Sequence, residues 1–483
     1  MPYVIRSNSS TPTRKLRIYR SVMSALACGV LLFASAGSAV AKQDMQAFPG
    51  AVGFGKFANG WRGGAIVSVT SLADHGPGSL RACAEEFIGP KICVFEVSGT
   101  IEVDRPIKVA SNTYIAGQTA PGQGVQLKLG KSLSTPLVVE NANNVLIRFL
   151  KVRPGPSLQP SPSVDGVMIY NGHDVYLDHL SIQFATDENL NVYVKNVPTG
   201  NITVANSIIA LGLDRANHPK GRHSKGALIC SDEGPDAECG RISLIGNLFA
   251  HNRDRNPDVR GTDKGPIEIM NNVFYNPISQ FGEFYNLVGN TKINYVGNVT
   301  LPGPNTKKKD RITSVEAFMR DENNSFSIFA TDNTNIIRNK CRESRMNPIL
   351  NETAEMQRVD APLEPVAYEA YPGSETLERV LSGAGSRVPG GRMDDTLDMK
   401  VVRDVRECTG KVVSAASKAG GWPDLISETA TPDSDNDGMP DSWETANGLN
   451  PADPKDAWTD NNNNGWSNIE DYLSGLAGDP SDE

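Results

Sequence analysis

Long apolar runs are scarce in this sequence, and the most extended one lies near the start. The run from Val22 to Phe33 is shorter than the roughly 20 residues that a membrane-spanning helix needs. Basic residues precede it and the small residues Ala39-Val40-Ala41 follow it, an arrangement typical of a secretory signal peptide. The sequence therefore predicts that residues 1–41 are a signal peptide, that the protein is secreted and that it has no membrane span. A membrane anchor is the alternative interpretation of this run.

Closely spaced C-x-x-C pairs are absent, which argues against a zinc site built from cysteine. Six cysteines remain after residue 41, and an even number in an exported chain indicates disulfide bonds. Fifteen pairings are formally possible for six cysteines. The pairing that closes the two shortest loops first is Cys83 with Cys93, Cys230 with Cys239 and Cys341 with Cys408.

Net charge is also nearly absent from most of the chain. The whole chain has a formal charge of −9, but residues 426–483 hold fourteen acidic residues and one lysine, whereas residues 42–425 hold 42 acidic and 41 basic residues. A local basic track through Arg222, Lys225, Arg255, Arg260 and Lys264 can therefore attract an acidic polymer. We do not expect that polymer to be nucleic acid, because no aromatic stacking platform accompanies these cations.

Short β-rich runs recur through the middle of the sequence, and most are followed by asparagine or glycine. Equivalent apolar positions, separated by steps of 30, 27, 40, 25 and 26 residues, are Val145, Val175, Ile202, Ile242, Ile267 and Ile293. With no helix-length amphipathic pattern between them, these runs predict an all-β solenoid, a parallel β-helix that bends at left-handed asparagine or glycine residues. A β-sandwich is the alternative, although it requires two-residue hairpin turns that are scarce here.

The longest step predicts an insertion loop, which we expect to contain Lys225. Further along the chain, residues 353–420 lack the repeat. We expect them to pack against the solenoid as irregular structure or a short helix, held by Cys408.

The segment from Arg255 to Arg260 places two guanidinium groups five residues apart around Pro257. Arginine suits a site that must meet carboxylates in a fixed, forked geometry. The pair is weak evidence alone, because most arginine pairs lie on solvated surfaces. It becomes informative through the motifs that precede it: Asp165-Gly166-Val167-Met168-Ile169, Val175-Tyr176-Leu177-Asp178-His179, Thr186-Asp187-Glu188-Asn189-Leu190-Asn191 and His223-Ser224-Lys225-Gly226.

In this order the motifs resemble the family 1 polysaccharide lyases, the pectate lyase family, over roughly Ala47 to Cys341, and look like those of a bacterial subgroup. The resemblance implies a right-handed parallel β-helix and a monomeric enzyme. It further implies that α-1,4-linked polygalacturonate is cleaved by calcium-assisted β-elimination, which leaves unsaturated oligogalacturonides. Asp178-His179 belongs to a family motif, and we interpret it as a structural hydrogen-bonded pair.

The resemblance also implies roles for single residues. Arg255 corresponds to the Brønsted base, or it remains cationic and stabilises oxyanion charge while water or hydroxide takes the proton; the sequence leaves both open. Lys225 and Arg260 correspond to substrate carboxylate clamps.

Three residues correspond to ligands of a catalytic Ca²⁺: Asp165, Asp187 and Asn191. Capping of coil turns is the alternative role for the two aspartates. Asn191 departs from the family, which usually has an acid there. Glu188 could compensate, although strand alternation predicts that its side chain points to the other face.

Competing functions come from other classes. A hydrolase similar to the polygalacturonases needs an aspartate cluster, and the nearest candidate, Asp232-Glu233 with Asp236, lies between two cysteines and indicates a loop. A noncatalytic pectin-binding or adhesin protein would also suit a solenoid with calcium repeats. A pectin lyase acting on methyl-esterified polymer is disfavoured, because that branch lacks carboxylates at the calcium positions.

The acidic tail, residues 426–483, carries an EF-hand-like spacing that follows the main domain, residues 42–425. The first loop, a strong match for a Ca²⁺ site, has glycine at its sixth position and oxygen ligands at Asp433, Asp435, Asp437, Asp441 and Glu444. The second loop, with more neutral ligands and an expected lower affinity, offers Asp460, Asn462, Asn464, Asn468 and Asp471.

This tail resembles thrombospondin type 3 and dockerin repeats, which implies a structural role or attachment to a cell-surface or extracellular partner, outside catalysis. A disordered acidic tail is the alternative, and the buriable Trp443, Trp458 and Trp466 argue against it.

Overall fold

The periodic runs of the sequence become the coils of a β-helix. The structure, a computed structural model, describes residues 45–232, 237–389 and 391–480, so the expected signal peptide lies outside the described residues. The strands that these residues form are, in chain order, β1 Ala65–Val69, β2 Lys91–Phe95, β3 Gly99–Val103, β4 Ile107–Lys108, β5 Thr113–Ala116, β6 Val125–Leu129, β7 Leu137–Glu140, β8 Asn143–Arg148, β9 Lys151–Val152, β10 Val167–Tyr170, β11 His173–Asp178, β12 Ser181–Gln183, β13 Glu188–Val194, β14 Thr199–Ala205, β15 Ile208–Ala210, β16 Lys225–Asp232, β17 Cys239–Ile245, β18 Leu248–Ala250, β19 Asp258–Val259, β20 Ile267–Met270, β21 Val273–Tyr275, β22 Gly282–Tyr285, β23 Thr291–Val296, β24 Val299–Leu301, β25 Val315–Phe318, β26 Phe326–Thr331, β27 Thr334–Asn339 and β28 Arg342–Met346.

The helices follow the coils. They are α1 Glu352–Met356, α2 Gly373–Gly383, α3 Thr396–Glu407, α4 Asp441–Ala446 and α5 Asn468–Ala477. Among the residues that the structure describes, no helix is long and apolar enough to cross a membrane.

Three sheets run along the solenoid. The first has the order β1-β2-β5-β8-β11-β14-β17-β20-β23-β26, the second β25-β22-β19-β16-β13-β10-β7-β4, and the third β28-β27-β24-β21-β18-β15-β12-β9-β6-β3. Neighbouring strands pair in parallel, except that β28 folds back antiparallel onto β27. Because each coil contributes a strand to each sheet and crossovers between parallel strands are right-handed, the chain forms a right-handed parallel β-helix. This all-β solenoid confirms the predicted fold class.

The repeating apolar position predicted from the sequence is one register position of the first sheet. Val145 pairs with Val175, and the series continues through Ile202, Ile242 and Ile267 to Ile293. All six side chains are buried in one continuous core. Each of the six strands that carry these positions, β8, β11, β14, β17, β20 and β23, is followed by a residue in a left-handed conformation, where the chain bends. Examples are Phe149 (φ 55°), Asn206 (φ 48°) and Gly297 (φ 68°). Asparagine and glycine adopt this conformation at low cost, as the sequence predicted.

A column of asparagines reinforces the next bend. The backbone N–H of Asn247 donates to Asn272 Oδ1 (2.9 Å), that of Asn272 to Asn298 Oδ1 (2.9 Å) and that of Asn298 to Asn333 Oδ1 (2.8 Å). Each amide satisfies a buried backbone donor on the preceding coil, so these bends carry no orphaned N–H group at these positions.

The predicted insertion lies within the longest step of the repeat, but it ends one residue before Lys225. Residues 211–224 form it, between β15 and β16, and Lys225 is the first residue of β16, where it pairs with Glu188 of β13. The expectation that Lys225 belongs to the loop is therefore wrong, because ladder pairing with β13 begins at Lys225 and fixes its position on the second sheet.

All three predicted disulfides are present, namely Cys83–Cys93, Cys230–Cys239 and Cys341–Cys408. Residues 353–420 are more helical than expected, because α2 and α3 cover the third sheet with Val380, Val401 and Val405 among their buried side chains. Asp395 caps α3 by accepting hydrogen bonds from the N–H groups of Leu397 and Asp398. An aspartate at this position is a helix-start signal that a sequence can reveal.

The acidic tail packs against the first sheet. Met439, Ile469 and Leu473 lie in the same buried cluster as Trp61 and Tyr114. Arg148 at the end of β8 donates two hydrogen bonds of 2.7 Å to the carboxylate of Asp479. The tail and the solenoid therefore share an apolar core, and the described residues belong to one compact unit.

We expect Leu473→Ala to destabilise the whole protein by about 2–5 kcal/mol, because the side chain is 2% exposed and fills a core shared with the first sheet. Urea unfolding followed by tryptophan fluorescence measures the loss. Leu158→Ala is the matched control, since Leu158 is 75% exposed. Equal unfolding midpoints for the two variants would show that the tail is not part of the folding unit.

Candidate active site

An open groove of about 460 Å³ lies on the outer face of the second sheet. Adjacent coils deliver its residues: Asp165 precedes β10, Asp187 precedes β13, and Arg255 and Arg260 flank β19. Asn191 lines the same groove. The structure thus brings together five of the six residues predicted for the catalytic site. Lys225 is not among the lining residues that the structure describes, and its Nζ lies 2.6 Å from Asp254 Oδ1.

A glycine permits the close approach that places Arg255. A Cβ at Gly226 would lie 2.5 Å from the carbonyl oxygen of Arg255, so any side chain there would displace the backbone of the next coil. Arg255 itself has φ 55°, and its N–H donates to Glu283 Oε1 (2.9 Å). This left-handed conformation costs a non-glycine residue free energy, and its presence here shows that the surrounding coils hold Arg255 firmly.

Three carboxylates converge on the groove. One oxygen each from Asp165, Asp187 and Glu188 lies within 4.8 Å of the others. Burial, reinforced by the charges of the other two, raises the pKa of Asp165 well above its ordinary value. Burial and the charge of Asp187 raise the pKa of Glu188 to about 7. Carboxylates this close repel one another, and a bound cation would remove the repulsion.

Asn191 supplies an observation that fits a cation site. Its Nδ2 donates to Asp165 Oδ2 (3.2 Å), whereas its Oδ1 is buried and has no hydrogen-bond partner among the described residues. An unpartnered buried carbonyl oxygen is costly unless a cation or water binds it. Carboxylate and amide oxygens are ligands that Ca²⁺ prefers, so the donor set fits calcium.

The expectation that Glu188 points away from this site is wrong. Its carboxylate hydrogen-bonds Nη1 of Arg255 and belongs to the three-carboxylate cluster. Glu188 is the first residue of β13, immediately after the bend at Asp187, and strand alternation does not fix the direction of a side chain at a bend. Its position next to an aspartate in a family motif was the available signal.

Arg255 is held as a cation by its neighbours. Its Nη1 contacts Glu188, and its Nε lies 3.6 Å from Asp258 Oδ2. Burial lowers the pKa of Arg255, but the carboxylates of Glu188 and Asp258 outweigh burial and raise that pKa overall. Of the two roles that the sequence left open, these contacts favour the cationic one.

Known proteins are similar to this chain over most of its length. This chain is 31% identical over 416 residues to the Probable pectate lyase C of Aspergillus flavus. The matched region covers 84% of this chain and 88% of that protein. The chain is 32% identical over 429 residues to the protein of the same name from Neosartorya fischeri, covering 87% and 92%. The chain belongs to the pectate lyase family. No family model matches it.

A solved structure described as the thermostable pectate lyase PL 47 is 16% identical, covers 70% of this chain and 98% of its own, and has a TM-score of 0.47. The curated relatives reported above are fungal, so the bacterial subgroup suggested by the sequence stays a prediction.

The Asp178-His179 pair of this pectate lyase family member lies away from the groove, and the structural role suggested by the sequence stays a prediction. His179 Nδ1 lies 2.9 Å from Asp178 Oδ2, and Arg148 Nε donates to the same oxygen (2.9 Å). Asp178 ends β11 of the first sheet, and the groove lies on the second. Arg148 therefore links the pair to Asp479 of the tail.

Two histidines from the insertion hold Asp187 in place. The sequence did not predict this role for either of them. His223 Nε2 lies 2.6 Å from Asp187 Oδ1, and the parallel ring of His218, 3.8 Å away, places its own Nε2 3.7 Å from Asp187 Oδ2. The N–H of Lys220 donates to His218 Nδ1, so the proton of neutral His218 resides on Nε2, facing Asp187. Burial lowers the pKa of each histidine to about 4.

The first tail loop forms a second convergent set of oxygens. Asp433, Asp435 and Asp437 lie together, and Asp437 also lies with Glu444 and Asp456. Both carboxylate oxygens of Glu444, which is fully buried, have no hydrogen-bond partner among the described residues. Burial, followed by the neighbouring carboxylates, raises the pKa of Glu444 to about 7. Unpartnered buried carboxylates aimed at one point fit a divalent cation.

Two features of the tail differ from the sequence pattern. Asp441 accepts hydrogen bonds from the N–H and hydroxyl of Ser434 and is not part of the cluster, whereas Asp456, from outside the loop, is. In the second loop, the amides of Asn462 and Asn464 donate to Asp471 (2.8 and 3.0 Å). Asn468 instead donates to the backbone of Asp456, and Asp460 accepts from Asn464 and Gly465. The described side chains of the second loop therefore hydrogen-bond one another, and its lower calcium affinity stays a prediction.

We expect His223→Ala to weaken calcium binding in the groove about 10-fold or more, the size of effect typical when a hydrogen bond that orients a metal ligand is lost. The Ca²⁺ concentration that half-saturates turnover measures it, because turnover reports the groove and not the tail. His223→Gln, which keeps an N–H donor, should recover part of the affinity. The control is His173→Ala, because His173 pairs with Asp174 (2.7 Å) on the first sheet. Unchanged affinity in His223→Ala would contradict the positioning of a ligand by His223.

Proposed function

We propose that this protein is a secreted pectate lyase that cleaves α-1,4-linked polygalacturonate by calcium-assisted β-elimination. The observation that carries the proposal is the groove itself, where a guanidinium faces three carboxylates and an unpartnered amide oxygen. Membership of the pectate lyase family supports the substrate. The three disulfides support an extracellular location, and we propose that the enzyme acts as a monomer.

Asp165, Asp187 and Asn191 would hold the catalytic calcium, and Glu188 joins them as the acid that compensates for asparagine at position 191. When bound, the cation withdraws charge from the substrate carboxylate and makes the neighbouring C5 proton more acidic. In the protein itself, His223 keeps Asp187 oriented while the amide of Asn191 orients Asp165.

Arg255 would stabilise the negative charge that develops as the C5–H bond breaks. As a cation fixed by Glu188 and Asp258, it acts without reorganisation at the moment of reaction. Water or hydroxide takes the C5 proton, the C4–O bond breaks, a C4=C5 double bond forms, and the leaving oxygen gains a proton. Arg260 would bind a substrate carboxylate. Lys225 is paired with Asp254, so it would clamp a substrate carboxylate only by exchanging that partner.

For the tail we propose a calcium site formed by Asp433, Asp435, Asp437 and Glu444, with Asp456 in the place expected for Asp441. The second loop would bind calcium more weakly through Asp460 and Asp471. Because the tail shares a core with the first sheet, we propose stabilisation of the solenoid as its main role, with attachment to an extracellular partner as an additional one.

We expect Arg255→Lys to lower kcat more than 10-fold, a barrier increase above about 1.4 kcal/mol, because an ammonium cannot contact Glu188 and Asp258 in the same planar geometry. Absorbance of unsaturated product from polygalacturonate, with calcium and with EDTA, measures turnover and tests the function. Arg358→Lys, at an exposed arginine paired with Glu355, is the control. A variant with more than a tenth of the wild-type kcat would exclude the assigned role.

Asp456→Asn should reduce the rise in unfolding temperature that calcium produces, whereas Asp441→Asn should leave it nearly unchanged. The reason is that Asp456 Oδ1 is buried and unpartnered in the cluster, whereas Asp441 hydrogen-bonds Ser434 outside it. Thermal unfolding of the full chain in calcium and in EDTA compares the variants, and the groove contributes equally to both. A larger effect of Asp441→Asn than of Asp456→Asn would contradict this proposal and favour Asp441 as the ligand, as expected from the sequence.

A further inference from the structure

Beyond Arg260, which lines the groove, the second sheet carries a row of side chains at one register position. Val259 pairs with Phe284, so Arg260 on the coil of β19 faces Tyr285 at the end of β22, and Tyr285 pairs with Phe318 at the end of β25. Neighbouring strands lie roughly 4.8 Å apart, so Phe318 is about 10 Å from Arg260 along the solenoid.

These side chains form a continuous stack that ends in a second arginine. The guanidinium of Arg260 lies 5.7 Å from the ring centroid of Tyr285, the Tyr285 and Phe318 rings stack at 4.9 Å with an interplanar angle of 16°, and the guanidinium of Arg320 lies 5.4 Å from the Phe318 ring. Cation–π and aromatic contacts of this kind orient a guanidinium without consuming its hydrogen-bond donors.

The two arginines differ in their partners. Arg260 donates hydrogen bonds from Nε and Nη2 to the carboxylate of Asp258 (both 3.1 Å). The guanidinium of Arg320 is exposed and has no carboxylate partner among the described residues. The backbone of Arg320 is nevertheless fixed, because its N–H donates to Oδ1 of the buried Asn286 (2.6 Å). Arg320 therefore has a fixed backbone and a guanidinium without an ion-pair partner among the described residues. Asp321 and Glu322 follow it in the sequence, and Asp321 Oδ1 accepts hydrogen bonds from Asn323.

The acidic residues on the strands that carry the stack are already engaged. Glu283 accepts hydrogen bonds from the N–H of Arg255 and the hydroxyl of Tyr285, and Glu316 accepts from the side chain of Gln280. Asp258 is paired with Arg260. The donors that remain available to a ligand along this row are therefore those of the arginines, which favours an anionic occupant.

We propose that Arg320, mounted on the stack of Tyr285 and Phe318, binds a uronate carboxylate of the polysaccharide about two coils beyond Arg260. This inference rests on the proposed function and adds a subsite that favours long chains. The charge fits, because polygalacturonate repeats a carboxylate along its length and the row begins at Arg260, which lines the groove. Such binding away from the reacting bond lowers KM without changing kcat.

Arg320→Gln tests the subsite. We expect KM for polygalacturonate to rise about threefold, in line with one exposed ion pair, with kcat unchanged and with a smaller change for trigalacturonate. Phe318→Leu should produce part of the same effect, since it removes the ring beneath Arg320. The control is Arg379→Gln, because exposed Arg379 also stacks on an aromatic ring (4.6 Å from Tyr371) but belongs to α2.

A second readout does not depend on turnover. Affinity electrophoresis in polygalacturonate with EDTA should show weaker retention for Arg320→Gln than for Arg379→Gln, and added salt should narrow the difference. Equal retention and equal KM for the two variants would overturn the subsite. A wild-type protein that forms no unsaturated product would refute the proposed lyase function instead, and retention would still decide whether Arg320 binds the polymer.

Discussion

Lateral pairing between successive coils is the constraint on which everything else in this protein depends. Each coil is fixed by hydrogen bonds to the coil before and the coil after it, and the shared core continues through Val145, Val175 and Ile202 at one register position. A slip of one residue would turn buried side chains outward. Because the register is strict, Asp165 and Arg255, ninety residues apart in the sequence, line one groove.

The groove concentrates opposite charges at a cost in stability that its function explains. Three carboxylates within 4.8 Å of one another repel, and one guanidinium from the left-handed bend at Arg255 compensates only part of their charge. Burying charge without full compensation is unfavourable. The arrangement is nevertheless suited to a cation bound together with an anionic substrate, since each supplies charge that the other needs.

Much of this could be predicted from the sequence, because the coil period, the left-handed bends and the two short disulfide loops are local patterns. What could not be predicted depends on contacts between distant segments. Strand alternation gave the wrong direction for Glu188, because this residue follows the bend at Asp187 and its carboxylate pairs with Arg255 on another coil. The loop spacing selected Asp441, whereas folding of the tail brings in Asp456. The ladder with β13, invisible in one sequence, decides that Lys225 begins a strand.

The position of the tail gives its acidity a structural meaning. It packs on Tyr114 of β5, and its Asp479 binds Arg148 of β8, whose strand pairs directly with β11. In a solenoid, stability passes mainly between nearest neighbours. The coil held by the tail is therefore the one on which the Asp165 coil stacks. Calcium in the proposed tail site would neutralise the carboxylates that oppose this packing. One cation would then support folding on the first sheet while another serves chemistry on the second.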